Sequence, residues 1–360
     1  MSKPAALAGA VALAGLLAVL AVTLKPASGE AGRLYPVRVG AKWGYIDASG
    51  QVVVQPKYDR AEPFADGMGR VTATVPGKGD RIGYVDIRGK EVIAPRFVMA
   101  GDFSEGVAHA ALQYGKFGYI DQRGQFAVEP QFNTAWPFSE GVATVLPGKA
   151  GALRIIDRAG GTLASVEADR VTPMRDGVAC VYHGNASWSI DAKASKLADV
   201  RGACGEQFGS GLMPVWPDAV WTKGRRNLGY ADRTGKVIIA ATYDQADDFH
   251  EGLAAVGSGI WTPGGKGGKW GYIDPTGREA IPLQFSDPPA PGVRGIGPFS
   301  EGLAWAGDGK KIGYIDRTGK FAIPPRFEDA HPFQGELALV VLGGKQAYIN
   351  QTGKVVWQGE

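Results

Sequence analysis

The chain has 360 residues, of which 44% are hydrophobic and 21% are charged, and its formal net charge at pH 7 is +3. This near-neutral balance, without any arginine-rich tract, argues against a nucleic-acid-binding domain. Fifty-four glycines and only two cysteines indicate a folded domain with many turns rather than a framework of disulfides.

An uninterrupted apolar run covers residues 5–24 and is bounded by Lys3-Pro4 and Lys25-Pro26. Twenty helical residues just span a bilayer, whereas the apolar part of a cleaved signal is usually about 7 to 15 residues long. A membrane anchor and a cleaved signal peptide therefore both remain open, with small-residue cleavage candidates at residues 27–31. Either way, we expect residues 1–32 to export residues 33–360 to a periplasmic or extracellular location.

A tetrapeptide, Gly-Tyr-Ile-Asp, first occurs at residues 44–47 and then recurs along the chain. Self-similarity at intervals of 34 to 42 residues is the sequence signature of a repeat protein. Alignment on the tyrosine gives nine units, at Tyr45, Tyr84, Tyr119, Ile155, Ser189, Tyr230, Tyr272, Tyr314 and Tyr348.

The first motif inside each unit is Asp-x-x-Gly, as in Asp47 and Gly50. Aspartate opens a tight turn by accepting a hydrogen bond from the backbone two residues on, and glycine adopts the left-handed conformation. The pattern predicts a β-hairpin, with Gly-Tyr-Ile-Asp on the first strand and the residues after the turn on the second.

The second motif, Phe-Ser-Glu-Gly-Val/Leu-Ala, occurs at residues 103–108, 138–143 and 299–304, with a near copy at 249–254. Its Gly leads into a short alternating apolar run, which predicts a third strand. A Pro-x-Phe/Tyr corner, such as Pro95-Arg96-Phe97, precedes it. We expect this proline to end the second strand, because it cannot donate to a ladder.

The sequences Lys42-Trp43-Gly44-Tyr45-Ile46-Asp47 and, around Trp270, the identical string at residues 269–274 resemble the signature of the WG-repeat family. The resemblance extends over roughly residues 36–357, and six of the nine units keep the Gly-Tyr pair. It implies a β-rich repeat domain, common in bacterial proteins, and brings no general enzymatic activity or catalytic residue with it.

The predicted fold class is therefore all-β, a tandem array of about nine three-stranded units, either an open superhelical stack or a propeller-like one. Because propellers usually have four to eight blades of four strands each, the sequence favours an open stack, or two successive subarrays, over a closed ring. Units at residues 151–211 depart most from the consensus. They mark a seam or hinge, or they have drifted while keeping the fold.

The ionisable residues show no pattern typical of catalysis. The four histidines occupy unrelated repeat positions, and each recurrent turn offers a single carboxylate rather than a cluster. We therefore expect no enzyme activity, no metal and no cofactor. Cys180 and Cys204 lie in consecutive degenerate units and form either a disulfide in an oxidising compartment or two buried thiols.

Two features suggest binding. Loops at residues 214–227, 257–269 and 286–298 lengthen successive units, and insertions in an array tend to emerge on one face. Tryptophans outside the repeat position, at residues 136, 188, 216, 221, 261 and 305, are candidates for exposed contacts, unless they cover the interfaces between repeats. The candidate partner-binding residues are Trp216, Trp221, Arg225, Arg226 and Trp261.

Aromatic and arginine side chains of this kind anchor protein partners or stack on sugars. The leading hypothesis is a non-enzymatic extracytoplasmic scaffold that binds protein. Binding of cell-wall or other carbohydrate through the loop tryptophans is the alternative, and an unrecognised envelope enzyme is the third possibility. Nucleic acid is not expected as a partner, and membrane contact is expected only through residues 5–24.

Overall fold

The computed structural model describes residues 32–148, 151–200, 208–216, 227–259, 268–289 and 292–359. Within these ranges all regular structure is β, arranged as nine small antiparallel sheets. Each sheet is a meander of strands that follow one another in sequence, and we call it a blade. The all-β prediction and the count of nine units are confirmed.

Blades 1 to 5 comprise β1 to β19. Blade 1 holds β1 (Tyr35–Val39), β2 (Lys42–Ile46) and β3 (Val52–Tyr58); blade 2 holds β4 (Arg60–Ala65), β5 (Met68–Val75), β6 (Gly79–Asp86) and β7 (Glu91–Phe97); blade 3 holds β8 (Met99–Ala100), β9 (Val107–Ala111), β10 (Phe117–Asp121) and β11 (Phe126–Phe132); blade 4 holds β12 (Thr134–Ala135), β13 (Ala143–Leu146), β14 (Leu153–Ile156) and β15 (Thr162–Val166); blade 5 holds β16 (Arg170–Val171), β17 (Ala179–His183), β18 (Ala186–Ile190) and β19 (Lys196–Asp199).

Blades 6 to 9 comprise β20 to β33. Blade 6 holds β20 (Leu212–Val215), β21 (Leu228–Asp232) and β22 (Val237–Tyr243); blade 7 holds β23 (Gln245–Ala246), β24 (Ala254–Ser258), β25 (Lys269–Ile273) and β26 (Glu279–Phe285); blade 8 holds β27 (Ala304–Gly307), β28 (Ile312–Ile315) and β29 (Phe321–Phe327); blade 9 holds β30 (Asp329–Ala330), β31 (Leu337–Leu342), β32 (Lys345–Asn350) and β33 (Val355–Gln358).

The described residues have no single core. Their buried apolar side chains form nine clusters, and each cluster lies at the seam between two blades. Eight of these seams join consecutive blades. The ninth joins blade 9 to blade 1 and contains Tyr35, Val37, Leu337 and Tyr348. An open stack of nine units has only eight seams, so the array closes into a nine-bladed propeller.

Hydrogen bonds between the first and last blades confirm the closure. Tyr35 Oη donates to the carbonyl of Gln334 at 2.9 Å, and Tyr348 Oη donates to the carbonyl of Pro36 at 3.1 Å. Of the two predicted architectures the propeller-like one is therefore present, and the preference for an open stack was wrong. The closing seam again contains a repeat tyrosine, Tyr348, as most of the other seams do.

The repeat tyrosines join each blade to the next. In six seams the tyrosine hydroxyl donates to a backbone carbonyl in the first segment of the following blade, as Tyr84 does to Gly101 at 2.6 Å and Tyr119 to Trp136 at 2.8 Å. The phenylalanine of the Phe-Ser-Glu-Gly motif packs against the same ring, with centroids 4.9 Å apart for Tyr84 and Phe103. Both recurrent aromatics are therefore interblade contacts.

The Asp-x-x-Gly turns also contact a neighbouring blade. Asp47 Oδ1 accepts hydrogen bonds from the amides of Ser49 and Gln51, at 2.9 and 3.0 Å, and Gly50 has a φ of 89°. This is the predicted turn. A Cβ at Gly50 would lie 2.2 Å from the carbonyl oxygen of Val356 in blade 9, so the glycine is needed for close packing as well as for its conformation.

The glycine of the Gly-Tyr pair is required for a different reason. In blade 3 the pairing of β10 with β11 shifts between Phe117 and Tyr119, so that β11 bulges toward Gly118. A Cβ on Gly118 would lie 2.3 Å from the carbonyl oxygen of Val128. The other five blades with a Gly-Tyr pair show the same shift and the same close approach.

The bulge also accommodates the corner proline. Pro130 lies inside β11, which continues to Phe132, and Pro95 lies inside β7 in the same way. The expectation that proline ends this strand was wrong. At a bulge on the last strand of a sheet, the backbone nitrogen makes no hydrogen bond to the neighbouring strand. Proline, which has no N–H, is therefore tolerated at this position.

Most blades contain a fourth strand that the sequence did not predict. Six of the nine sheets have four strands, and in five of them the additional first strand has only two residues, such as Met99–Ala100. Two residues are too few to show an apolar periodicity. Blades 4 and 5, which contain most of the degenerate units, keep complete four-stranded sheets, which favours drift with the fold retained.

The described residues include no helix long and apolar enough to cross a membrane. The apolar run at residues 5–24, on which the anchor and signal predictions rest, lies outside the described residues.

Candidate interaction surface

The propeller has two chemically different faces. On one, which we call the turn face, lie the Asp-x-x-Gly turns with their variants and, where present, the Glu-Gly turns, because Val107 pairs with Asp121 at that end of blade 3. On the other, the loop face, the hairpin between these two strands closes, as between Ala111 and Phe117. Short and long loops can therefore be assigned to a face from strand register alone.

All three inserted loops leave from the loop face. The first follows Val215 and returns at Leu228, the second follows Ser258 and returns at Lys269, and the third begins after Phe285. These strand ends belong to blades 6 and 7, and the third loop leads into blade 8. The insertions thus start from neighbouring blades. We call the surface formed by these three loops, at residues 214–227, 257–269 and 286–298, the blade 6–8 sector.

Part of the third loop packs on the repeat tryptophan of blade 7. The indole nitrogen of Trp270 donates to Asp287 Oδ1 at 3.0 Å, and the same oxygen accepts from the amide of Gly295 at 2.7 Å. The guanidinium of Arg294 lies 4.3 Å from the centroid of the Trp270 ring. Trp270 is buried as a result, and the described part of this loop is held against the blades.

Arg294 also forms an ion pair with a residue of blade 7. Arg294 Nη2 lies 2.7 Å from Asp247 Oδ2, which belongs to the first segment of blade 7. Burial raises the pKa of Asp247, and the charge of Arg294 opposes that shift. A mostly buried carboxylate with an arginine partner is a structural pair whose loss leaves an uncompensated charge. It therefore positions the third loop.

All five predicted partner-binding residues fall in the first two loops. Trp221, Arg225, Arg226 and Trp261 lie outside the described residues, so their role stays a prediction. Trp216 is described, directly after β20, and is partly buried. The described strands that flank these two loops end on the same face.

The remaining loop tryptophans divide between interface and surface. Trp188 and Trp305 are partly buried, and Trp305 Nε1 donates to the carbonyl of Arg294 at 3.2 Å. These two serve the blade contacts, as the alternative interpretation held. Trp136 differs, because 39% of its surface is exposed. On the loop face of blade 3, Leu112 and Tyr114 are also exposed, to 52% and 77%.

Glutamates of the Glu-Gly turns on the turn face accept hydrogen bonds from the next blade. Glu105 has a φ of 56°, and its Oε2 accepts from the amide of Gly141 in the next blade at 3.0 Å. Arg158 Nη2 lies 2.8 Å from the same oxygen. Glu140 repeats the pattern with the amide of Gly177 at 2.8 Å. Sequence reasoning assigned these residues to turns but missed that they link neighbouring blades.

The histidines do not meet in one place. His109 is mostly buried, and burial, with the charge of Arg70, lowers its pKa to about 4, while Asp102 opposes the shift. His183 is exposed and His250 is half-buried at a Glu-Gly turn. In the described part of the chain, no group of three or more His, Cys, Asp or Glu side chains has an arrangement suited to a metal ion.

Cys180 is buried at the seam between blades 5 and 6, with its sulfur 3.8 Å from Met213 Sδ. Cys204 lies outside the described residues. The disulfide between them stays a prediction.

Family comparison agrees with this architecture. The model of the WG containing repeat family matches six segments, residues 43–72, 82–110, 117–146, 229–258, 270–311 and 312–345. Together they cover more than half of the chain, and the chain belongs to this family. The unmatched stretch between residues 146 and 229 contains the degenerate units. No curated protein matches the chain in sequence.

Solved structures resemble the chain in fold. A crystal structure described as the eukaryotic initiation factor has a TM-score of 0.59 at 13% identity, and the match covers 91% of this chain and 95% of that one. At that identity the similarity concerns the fold alone. BamB from Moraxella catarrhalis matches with a TM-score of 0.39 at 13% identity, over 82% of this chain and 94% of that one.

Proposed function

We propose that this protein is a non-enzymatic interaction scaffold that acts outside the cytosol and binds a protein partner through the loop face of blades 6 to 8. The observation that carries the proposal is the shared origin of three inserted loops on adjacent blades. The repeat residues themselves are used in the seams, whereas the inserted loops are not part of the repeat. A β-propeller with such loops is a rigid platform for binding.

The chemistry of the inserted loops supports a protein partner. Trp216, Trp221 and Trp261 with Arg225 and Arg226 provide the residue types that are enriched at the centres of protein interfaces. The described part of the third loop is held in place, because Asp287 accepts a hydrogen bond from Trp270 and Arg294 stacks on the Trp270 ring. A preformed surface loses less conformational entropy on binding than a mobile one.

The location of the scaffold rests on the N-terminal run at residues 5–24, which is long enough to enter or cross a bilayer. The proposal places the propeller on the outer side of the membrane. Absence of enzyme activity is part of the same proposal, and it is supported by the recurrent carboxylates, whose described members are engaged in turns and interblade hydrogen bonds.

The test is cross-linking and capture of the full-length protein, with its own leader, from intact cells. The variant Trp216→Ala/Trp221→Ala/Trp261→Ala removes the loop aromatics. The matched control is Val237→Ser/Ile238→Ser, which changes two exposed residues, 41% and 45% accessible, at the turn-face end of blade 6. We expect one defined partner to be captured by the wild type and by the control, and lost in the triple variant.

Two results contradict the proposal. Capture that survives the triple variant places the binding surface elsewhere. Sedimentation with cell-wall material, without any captured protein, supports carbohydrate binding instead.

A further inference from the structure

Four exposed apolar side chains lie around one turn on the turn-face rim of blades 1 and 2. Val52 and Val53 begin the last strand of blade 1, and Val92 occupies in blade 2 the position that Val53 has in blade 1. Ile87 lies in the turn of blade 2, and a Cβ at Gly89 in this turn would lie 3.0 Å from Val53 Cγ1. Between 36% and 39% of the surface of each apolar residue is exposed. We call these four residues the rim patch.

The chain enters the propeller beside the rim patch. Leu34 is buried in the seam between blades 1 and 2, and Tyr35 pairs with Ile46 at the turn-face end of blade 1. A Cβ at Gly32 would lie 3.7 Å from Ile87 Cδ1. The first described residue is therefore next to the patch.

A short segment joins this entry point to the apolar run at residues 5–24. The seven residues 25–31 lie between them, and even a fully extended segment of this length spans at most about 25 Å. If the run spans a bilayer, the rim patch is therefore held close to the surface of that bilayer.

The charges around the rim patch are mixed and nearly balanced. Arg88 and Lys90 are exposed on the same turn, and long basic side chains reach polar groups while their stems lie along apolar surface. The neighbouring carboxylates already accept hydrogen bonds. Asp86 Oδ1 accepts from the amides of Arg88 and Lys90, at 2.9 Å each, and Glu91 Oε2 accepts from Tyr58 Oη at 2.8 Å. This balance suits a zwitterionic headgroup layer.

We propose that the rim patch docks on the lipid surface of the membrane in which residues 5–24 are anchored, with its apolar side chains in the headgroup layer. Exposed apolar patches mark interaction sites, and apolar side chains at a membrane surface enter the boundary between headgroups and acyl chains. The inference rests on the outer-side location in the proposed function and extends the membrane contact beyond residues 5–24. It turns the turn face toward the membrane and leaves the loop face open to a partner.

The test places a spin label at Lys90 or at Lys236 of the full chain in phosphatidylcholine vesicles. Both are exposed lysines four residues after the turn aspartate, but Lys236 belongs to blade 6, on the far side of the ring. We expect the Lys90 label to remain open to oxygen and to meet a polar nickel chelate at least about threefold less often than the Lys236 label, because the chelate is excluded from lipid.

Substitutions in the same register position provide the matched control. Val53→Ser/Val92→Ser removes apolar surface from the rim patch and should abolish the difference between the two labels. Val237→Ser/Ile238→Ser removes equally exposed residues from blade 6 and should leave the difference unchanged.

A label at Leu17, inside the apolar run, separates the possible failures. If Leu17 is in the bilayer while Lys90 and Lys236 are equally open to the chelate, the docking inference is overturned and the proposed location stands. If Leu17 is outside the bilayer, both are overturned. A Lys90 label shielded from oxygen as well as from the chelate is covered by protein, such as a second copy of this chain, and overturns the assignment to lipid.

Discussion

The seam between blades 3 and 4 and the seam between blades 4 and 5 are adjacent and built on the same plan, yet they are held together differently. In the first, Tyr119 donates to Trp136 and packs on Phe138, with ring centroids 4.7 Å apart. In the second, the side chains of Ile155 and Met174 pack in an apolar cluster beside an open cleft, and Ser139 Oγ donates to the carbonyl of Met174. The propeller therefore tolerates loss of the aromatic pair at this seam.

The comparison also explains why the glycine of the Gly-Tyr pair, the strand bulge and the corner proline occur together. Gly118 in blade 3 faces a bulged strand that contains Pro130. In blade 4 the equivalent residue is Arg154, the strands pair in regular register there, and β15 is two residues shorter than β11. Glycine is thus required where the neighbouring strand bulges, and larger residues are allowed where it does not.

Substitution of the Gly-Tyr glycine should have the largest effect. In Gly118→Ala the new Cβ meets the carbonyl of Val128, and we expect a loss of about 3 to 5 kcal/mol in the free energy of unfolding. The matched substitution Arg154→Ala should cost less than about 1 kcal/mol. Chemical denaturation of both variants measures the difference. Equal effects would show that the bulge does not explain the glycine.

Tyr119→Ile gives the seam between blades 3 and 4 the residue that blade 4 has at this position. It removes a buried ring and leaves the carbonyl of Trp136 without its donor, so we expect destabilisation of about 3 kcal/mol. Thermal and denaturant unfolding check this value. A neutral outcome would mean that the ring contributes little to holding the blades together.

His109 makes blade 3 sensitive to acid. Its pKa falls from the ordinary 6.5 to about 4, so between these values the unfolded state binds more protons than the folded state. Stability is therefore complete above pH 6.5 and decreases as the pH falls toward 4, by about 3 kcal/mol at most. His109→Gln should flatten this part of the profile of unfolding free energy against pH. A pH profile unchanged by the substitution would contradict the lowered pKa assigned to His109.

Removal of one hydroxyl at the closing seam should have the smallest effect. Tyr35 Oη donates to Gln334 and accepts from the amide of Glu336 at 3.0 Å. For Tyr35→Phe we expect a loss of about 1 to 2 kcal/mol and faster amide exchange in β1. If β1 exchanges as slowly as in the wild type, these bonds do not hold the ring closed.

Much of this architecture could be predicted from the sequence, because its local rules are strong. Asp47 and Gly50 predict a turn in which both residues act as expected. Closure could not be predicted, because it depends on Tyr348 reaching Pro36 across more than 300 residues. The short strand at Met99 has no periodic signal, and Pro95 was misjudged because a bulge depends on the strand beside it.

The candidate surface was predictable in part. Loop lengths indicated where the insertions are, and strand register showed that they start from the same face. The anchor formed by Asp287, Arg294 and Trp270 was not predictable, because it joins residues whose spacing follows no repeat rule. The cleft beside Ile155 could have been found from the alignment of the nine units, since the missing tyrosine is visible there.

The central claim is that nine blades form a closed ring, and a distance between blades 1 and 9 tests it most directly. Spin labels carried by a ketone-bearing amino acid, which leaves the cysteines untouched, are placed at Ala41 and Lys345, on the exposed loop-face hairpins of blades 1 and 9. Labels at Lys310 and Lys345, on the equivalent hairpins of blades 8 and 9, provide the internal standard. Pulsed dipolar spectroscopy should give two narrow and similar distance distributions. A much longer or broader distribution for the first pair would show that the array is open.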